Sequence, residues 1–553
     1  MVRWGVVLGV LACAGSAKAD FTFGEPTQVP RVNSSYNEFN ASISADGLSL
    51  YFISNRPGGV GQTGGFDGDD IWVTTRAAID DDWGEPVNLG TTINTTAGEG
   101  GVSISSDGLS LYFDTRQAGT SSAINDLWMA TRATTDEDWL NPVHLGPTVN
   151  SSGDDYSPSI SSDELSLYFT GPGRAGYGNY DLWVTKRETV FDPWGTPANL
   201  GPTINSPGYE IDPGISSDGR VLFFTIGMVN CGSRCGHGGT EIWMTRRATI
   251  DAPWGEPANL GPIVNSPGFE DYPNVSTDGS VLFFRRSQSG RHDGGDIWQA
   301  PIIPIVDFNS DGKVDGTEIL AMADRWGTDD SLCDIGPSAW GDGVVDLQDL
   351  IILSEYIGEP VDDPTLVAHW ALDEAEGSFA ADSAGNCDGD VLNPLWQPDA
   401  GHVGGALELD GTCVVVVPVT LDPAIGPFSV LAWVKGGAPG QVIIAQGGGT
   451  NWLMLDPSTG VLMTDLKSGG RSAEVLYSDA VITDGTWHRV GFTWDGSTRS
   501  LYVDGMLVAE DAQGTLASCT GGLNIGAAHD MAAGTYWTGL IDDVRIYNRA
   551  ITP

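Results

Sequence analysis

One pattern of apolar and polar positions returns five times in the first three hundred residues. Its first copy is Ser42-Ile-Ser-Ala-Asp-Gly-Leu-Ser-Leu-Tyr-Phe52. It alternates over a short strand, breaks at a Ser-x-Asp-Gly turn, and resumes as a second strand ending on an aromatic pair. The other copies begin at Ser103, Ser159, Gly214 and Asn274, with Glu164 replacing the turn glycine once. Period-two alternation broken by an Asp-Gly turn predicts a β-hairpin. A third strand follows at Asp70-Ile-Trp72, Asp126-Leu-Trp128, Asp181-Leu-Trp183, Glu241-Ile-Trp243 and Asp296-Ile-Trp298. A fourth segment, Trp83-Gly-Glu-Pro-Val-Asn-Leu-Gly90, returns from Trp139, Trp194 and Trp254. Four short strands in a unit of roughly 55 to 60 residues make one propeller blade. Phe23-Gly-Glu-Pro-Thr-Gln-Val29 matches the fourth segment but precedes the first hairpin, and no copy follows Trp298. The N-terminal strand is therefore expected to complete the last blade, giving five blades with no open sheet edge between the two ends.

The units resemble TolB-type, WD-like propeller repeats over residues 20–302. An acidic residue stands four positions before each first strand: Glu38, Glu99, Asp155, Glu210 and Glu270. If these strands line the channel, the carboxylates ring its mouth. They then hold a cation or polar ligand, or each bonds the neighbouring blade's backbone; recurrence with the repeat favours the second reading. The repeated Trp residues read as blade-packing anchors. Arg76, Arg132, Arg187 and Arg247 are expected to pair with the repeated acids. A glycosidase would need two carboxylates in one central site, and no odd pair stands out from the repeat. No Ser-His-Asp nucleophile motif is present, and none of the seven His sits at metalloprotease spacing.

The pattern stops at residue 303. Asp307-Phe-Asn309-Ser-Asp311-Gly312-Lys313-Val-Asp315-Gly-Thr-Glu318 places oxygen donors at loop positions 1, 3, 5, 7, 9 and 12, with glycine at the sharp turn. Calcium would be held by the side chains of Asp307, Asn309 and Asp311, the Lys313 carbonyl, Asp315 through water, and both Glu318 oxygens. A second copy reads Asp342-Gly343-Val344-Val-Asp346-Leu-Gln-Asp349, with Asp334 as its first ligand and an insertion over 337–341. Short helices are predicted at 319–326 and 350–356. The paired loop-helix units of residues 303–360 resemble a type I dockerin, which implies calcium and a cohesin-type protein partner. The positions that set cohesin choice, Gly316-Thr317 and Leu347-Gln348, differ between the copies, so two-way binding is not implied. A calcium-stapled spacer between β domains stands as the alternative.

Residues 365–553 alternate again, as in Phe428-Ser-Val-Leu-Ala-Trp433-Val and Leu501-Tyr-Val-Asp504-Gly505, between Gly and Asp turns. That predicts a two-sheet antiparallel sandwich. With Leu366-Val-Ala-His-Trp370 at its start and Ile541-Asp542-Asp543-Val-Arg-Ile-Tyr547 at its end, the segment resembles the laminin-G-like, concanavalin A-like jelly rolls. The resemblance implies glycan or protein binding; some relatives are hydrolases or lyases, but no separated acid pair lies on one strand. It also implies a possible calcium near the paired terminal strands, with Asp373, Asp382 and Asp543 as ligands. His488 and Trp487 read as packing residues, and Trp452 or Trp537 as sugar platforms if exposed.

Composition narrows the function. Asp plus Glu number 73 against 26 Lys plus Arg, a net charge of −47. That opposes nucleic acid and anionic membrane surfaces. Arg3, the apolar run 4–12 and Ala17-Lys18-Ala19 form an export signal expected to be cleaved after Ala19; Val10-Leu-Ala-Cys13 is a weaker lipoprotein-like alternative. That apolar run is too short to span a bilayer as a permanent anchor, and no later segment is long enough. Past Cys13 remain Cys231, Cys235, Cys333, Cys387, Cys413 and Cys519, an even set that suits disulfides; Cys231 with Cys235, and Cys387 with Cys413, are candidate pairs. The expectation is a mainly β, secreted, calcium-dependent binding or scaffold protein engaging extracellular glycan or cell-surface partners. Its alternatives are a docked component enzyme of a polysaccharide-degrading system, and a protein-protein adhesion module without sugar affinity.

Overall fold

The computed structural model describes residues 21–60, 68–116, 124–172, 176–227, 239–287, 294–308, 313–330, 333–358, 363, 365–384, 387–418, 420–447, 449–467 and 475–551. They divide into two compact units. The first comprises 26–260 and 264–302; the second comprises 21–25, 261–263 and the described residues from 303 onward.

The first unit is a five-bladed propeller. Blade one runs Glu38–Ile43, Ser49–Ser54, Asp70–Thr75 and Val87–Asn88, each strand antiparallel to the next. Blades two, three and four repeat this order from Glu99, Tyr156 and Glu210. Blade five holds Phe269–Val275, Val281–Ser287 and Asp296–Pro304, and its outer strand is Thr27–Gln28 from the chain's start. Thr27 pairs with Gln299 and Gln28 with Trp298. The first strands of successive blades touch, and the fifth touches the first, so these strands ring the axis.

A side-chain latch closes the ring. Asn94, Asn150, Asn205 and Asn265 each accept an amide N–H from a third strand and return a bond to the same residue's carbonyl, at Ile71, Leu127, Leu182 and Ile242. The fifth latch is Asn33, which holds Ile297 at 2.8 and 2.9 Å. The N-terminal segment thus does for blade five what the inter-blade loops do elsewhere.

The repeated arginines depart from the expectation. Arg76, Arg132, Arg187 and Arg247 lie 4.3–4.4 Å over the rings of Trp83, Trp139, Trp194 and Trp254. Their Nε atoms donate to turn carbonyls such as Gly47 and Gly108. A planar guanidinium satisfies ring face and carbonyl together, so no acid is required. Among the described residues, Arg187 alone of the four also approaches an acid, Glu164, at 3.7 Å.

In the second unit, helix α1 (Gly316–Asp324) and helix α2 (Leu347–Tyr356) start earlier than the apolar pattern predicts. The cause is capping. Asp315 and Asp346 accept the amides of Thr317 and Gln348, while Glu318 and Asp349 reach back to the cap amides. The residues read as loop ligands are therefore also helix caps. Val306, Phe308, Val314, Met322, Cys333, Ile335, Val345 and Leu353 form the small core beneath.

The sandwich has two eight-stranded sheets. The last strand, Thr538–Tyr547, pairs with Leu366–Trp370, Ala406–Asp410 and Phe428–Gly436, tying both ends of the segment into one sheet. Between the sheets lie Trp370, Val430, Ile443, Phe492, Ile525 and Ile546. Trp452 and Trp537 are fully buried there, at 0% exposure, so neither is a sugar platform. Cys333, Cys387, Cys413 and Cys519 are free thiols; Cys413 faces the core and Cys387 packs at its margin. The expected Cys387–Cys413 bridge is not formed, and Cys231 and Cys235 lie outside the described residues. Among the described residues no helix is long and apolar enough to cross a membrane.

Candidate functional site

The five repeated acids are inter-blade fasteners. All are buried. The backbone amides of Glu38, Glu99, Asp155, Glu210 and Glu270 donate to the preceding blade at Gly295, Asp69, Asn125, Tyr180 and Thr240. Their carboxylates accept the amide four residues upstream, from Ser34, Thr95, Ser151, Ser206 and Ser266. Glu38 and Glu270 also meet Arg56 at 3.0 Å and Arg286 at 3.1 Å. Glu99 differs. Its Oε1 accepts from Thr95 and Thr115, but Oε2 is buried with no hydrogen-bond partner among the described residues. Burial pushes Glu99 up to about 8.

Two residues beyond each acid, the repeat breaks. The equivalent positions hold Asn40, Gly101, Ser157, Asp212 and Tyr272. Each first strand slips register here against its partner, as a β-bulge does. Asn40, Ser157, Asp212 and Tyr272 take positive φ of 48–53°, an uncommon conformation for non-glycine residues. The facing positions on the second strands hold Ile53, Asp114, Thr170, Thr225 and Arg285, alike only in blades three and four.

These departures meet in one network. Asp114 accepts the amides of Gly101 at 2.7 Å and Ser157 at 2.9 Å. The Ser157 hydroxyl donates to Asp212 at 2.7 Å. Arg285 holds Asp271 with two bonds, at 2.7 and 2.6 Å. Burial pushes Asp114 up to about 7 and Asp212 up to about 8. The sequence reading found no odd catalytic pair; the structure gathers three carboxyl groups that break the repeat, Asp114, Asp212 and Asp271, none with an acidic counterpart in another blade. The signal was present in the disagreements between copies, which a search for shared motifs discards.

A cavity of about 440 Å³ opens at this end of the channel. Asp69, Glu99, Asp114 and Asp154 line it, with Arg116 as the cation among its lining residues. Tyr156, Tyr180 and Tyr209 form one wall; the rings of Tyr180 and Tyr209 stack at 5.3 Å and Tyr156 meets Tyr180 edge-on at 5.6 Å.

In the calcium-loop module, Asn309 and Asp311 lie outside the described residues. Asp307 and Lys313 flank that gap, and Asp315 and Glu318 sit at the start of α1. In the second loop, Asp334 accepts the amides of Asp342 and Gly343 at 2.8 and 2.7 Å, which folds the loop over its first carboxylate. Asp349 accepts the amides of Ile335, Gly336 and Asp346. Val344 and Asp346 continue the turn into α2. Burial, with Asp349 and Asp342 adding repulsion, pushes Asp334 up to about 6. Oxygen-only donors of this kind suit calcium. Among the described residues, no group of three or more His, Cys, Asp or Glu is gathered closely enough to hold a metal.

In the sandwich, Asp373, Asp382 and Asp543 serve different partners. Asp373 accepts the Gly405 amide; Asp382 those of His369, Ala384 and Cys387; Asp543 bonds His369 at 2.7 Å and Arg545 at 3.0 Å. The neighbouring Asp542 is the less satisfied acid. Its Oδ2 accepts two amides, from His402 and Val403, while Oδ1 is buried without a partner among the described residues. Burial pushes Asp542 up to about 7. Trp487 is half-buried and groups with His402 and Trp433, whose rings lie 3.5 Å apart, on the sheet face away from the core. His488 bonds Asp504 and Asp484. Trp433 and His402 were not singled out from sequence, because alternation marks two faces without saying which is inside.

No curated protein matches the chain. Several solved structures are similar to it in part. Domain 4 of AbnA, a GH43 extracellular arabinanase from Geobacillus stearothermophilus, solved with arabinotriose, is 22% identical over 34% of this chain and 95% of its own, with a TM-score of 0.28. Trypanosoma rangeli sialidase is 16% identical over 94% of this chain and 83% of its own, with a TM-score of 0.30. The binding domain of Paraclostridial Mosquitocidal Protein 1 is 13% identical over 34% of this chain and 49% of its own, with a TM-score of 0.29. Scores this low leave the functional argument to the chain's own residues. Residues 410–553 match the family described as the concanavalin A-like lectin/glucanases superfamily, and this part of the chain is a concanavalin A-like domain.

Proposed function

We propose that the chain is an exported, calcium-dependent modular binding protein whose C-terminal sandwich engages extracellular polysaccharide. The concanavalin A-like sandwich carries this reading. Its outer face offers Trp433, His402 and Trp487 as a partly exposed aromatic group, the kind of surface on which a sugar ring stacks. In this reading the module of residues 303–360 works as a dockerin-like unit, taking calcium at the first loop through Asp307, Asn309, Asp311, Asp315 and Glu318, and docking on a cohesin-type partner. Calcium would add positive charge among these carboxylates, closely spaced in the sequence. The leader ahead of Asp20 supports export.

The test uses the full chain on a panel of immobilised extracellular polysaccharides, with calcium and with a chelator. Binding to at least one, weakened tenfold or more by Trp487→Ala, is expected. Retention of nothing on the panel, or binding indifferent to Trp487, contradicts it. Calcium removal should lower the thermal midpoint, and Glu318→Gln should abolish that dependence at the first loop. A second reading, a component enzyme of a polysaccharide-degrading system, is favoured by the unequal carboxyl groups at the propeller mouth. Release of reducing ends, lost in Glu99→Gln, would select it.

A further inference from the structure

The propeller holds a cavity that the sandwich reading does not use. At about 440 Å³ it falls in the range of small-ligand sites. Among its described lining residues, four carboxyl groups stand against one guanidinium, that of Arg116, which already donates to Asn125 at 3.0 Å. Buried acids are ordinarily paired with a cation or bonded to donors on both oxygens. Here Glu99, 2% exposed, presents Oε2 with no partner among the described residues. In the equivalent position of blades one and five, an arginine fills that need. The wall opposite is aromatic, and the face of a tyrosine ring attracts a cation.

We propose that the wide mouth of the propeller channel is a binding site for an organic cation, a protonated amine carried on a body about the size of one or two sugar rings. The ammonium would lie between Glu99 and Asp154, with the body against Tyr180 and Tyr209. Charge decides the class. Among the described lining residues an anionic ligand meets four acids and one arginine, whereas an amine supplies counter-charge to the acids. In the free protein burial keeps protons on these acids, holding Glu99 up to about 8 and Asp114 up to about 7, facing Asp69 and Asp70 from blade one, Asp154 from blade three, and Arg116, and a bound ammonium would draw the Glu99 proton off. Among the described residues, no three of these carboxyls are gathered closely enough to hold a metal ion. This proposal stands apart from the sandwich reading, and either can fail alone.

The experiment is calorimetric titration of the full chain at pH 7 with four probes: the glucosamine disaccharide, its di-N-acetylated neutral counterpart, a galacturonic acid disaccharide, and spermidine. The glucosamine disaccharide should bind at least tenfold more tightly than the neutral one, and the acidic one should not bind. Spermidine binding equally well identifies a general amine site; spermidine failing identifies an amino-sugar site; both keep the amine. Glu99→Gln and Asp154→Asn, which preserve the bonds to Thr95 and Asn125, should each weaken the amine tenfold or more, while Trp487→Ala leaves it unchanged. Equal affinity for neutral or acidic sugars, no amine binding at all, or amine binding insensitive to Glu99 and Asp154 overturns the proposal.

Discussion

The two ends of the propeller channel are built on the same five strands and differ in kind. Where the strands finish, Ser42, Ser103 and Ser159 stand at equivalent places, and each hydroxyl accepts an amide of the next blade, from Ile104, Ile160 and Ile215, at 3.1 Å. The space enclosed there is about 60 Å³, room for a few waters. Where the strands begin, no residue recurs at the bulge, and the space is about 440 Å³. Three of the five blades meet this contact with the same residue, Gly214 and Asn274 standing in the other two, so a repeated residue serves the scaffold. A position that differs in every blade has been released from that role. The wide mouth is therefore where the fold can carry chemistry, and its strained bulges and unpaired acid mark it.

The comparison is broken most severely by opening the ring. Deleting residues 21–30 removes the outer strand of blade five and should lower the thermal midpoint of the first unit by more than 10 °C or prevent folding. An unchanged midpoint would mean the segment is a dispensable tail. Next comes Arg285→Met, which strips the partner from buried Asp271; loss of one member of a buried pair costs about 3–5 kcal/mol. Urea unfolding measures it, and a cost below ~1 kcal/mol would mean that water already solvates the cluster.

A smaller effect follows from pH. Glu99 and Asp212 are held up to about 8 and Asp114 up to about 7 by burial. Unfolded, such carboxyls titrate near ~4. The folded state keeps protons that the unfolded state releases, so stability should fall as pH rises from about 4 to about 8 and level off above that. Melting at pH 5 and pH 8 should give the lower midpoint at pH 8, with the gap narrowed in Asp212→Asn. A midpoint that rises with pH contradicts burial as the dominant influence. Smallest is Ser103→Ala at the narrow end, which leaves the Ile160 amide unpaired and should cost about 1 kcal/mol without touching the wide mouth.

Much of the scaffold was legible because it repeats. The hairpin turns, the third-strand tryptophans and the match of Phe23 to Val29 with the fourth segment were enough to place the closing strand where Thr27–Gln28 pairs with Asp296–Pro304. The site was not legible in the same way. Asp114 and Asp212 matter because of what their counterparts are not, and their meeting depends on bulges that no alternation pattern encodes. Trp452 and Trp537 show a second limit. Alternation assigns them to a face, but which face is core depends on how the two sheets stack. The helix starts show a third: one aspartate at loop position 9 satisfies both the ligand template and the cap, and the cap extends the helix toward the loop.

The most direct test compares the two ends in one assay. Affinity for the glucosamine disaccharide is measured for the parent chain, for Glu99→Gln at the wide mouth and for Ser103→Ala at the narrow end, each confirmed folded by circular dichroism. The account predicts at least a tenfold loss for Glu99→Gln and parent-like affinity for Ser103→Ala. Equal affinities for all three, or a loss confined to Ser103→Ala, would contradict the claim that the unrepeated residues form the site.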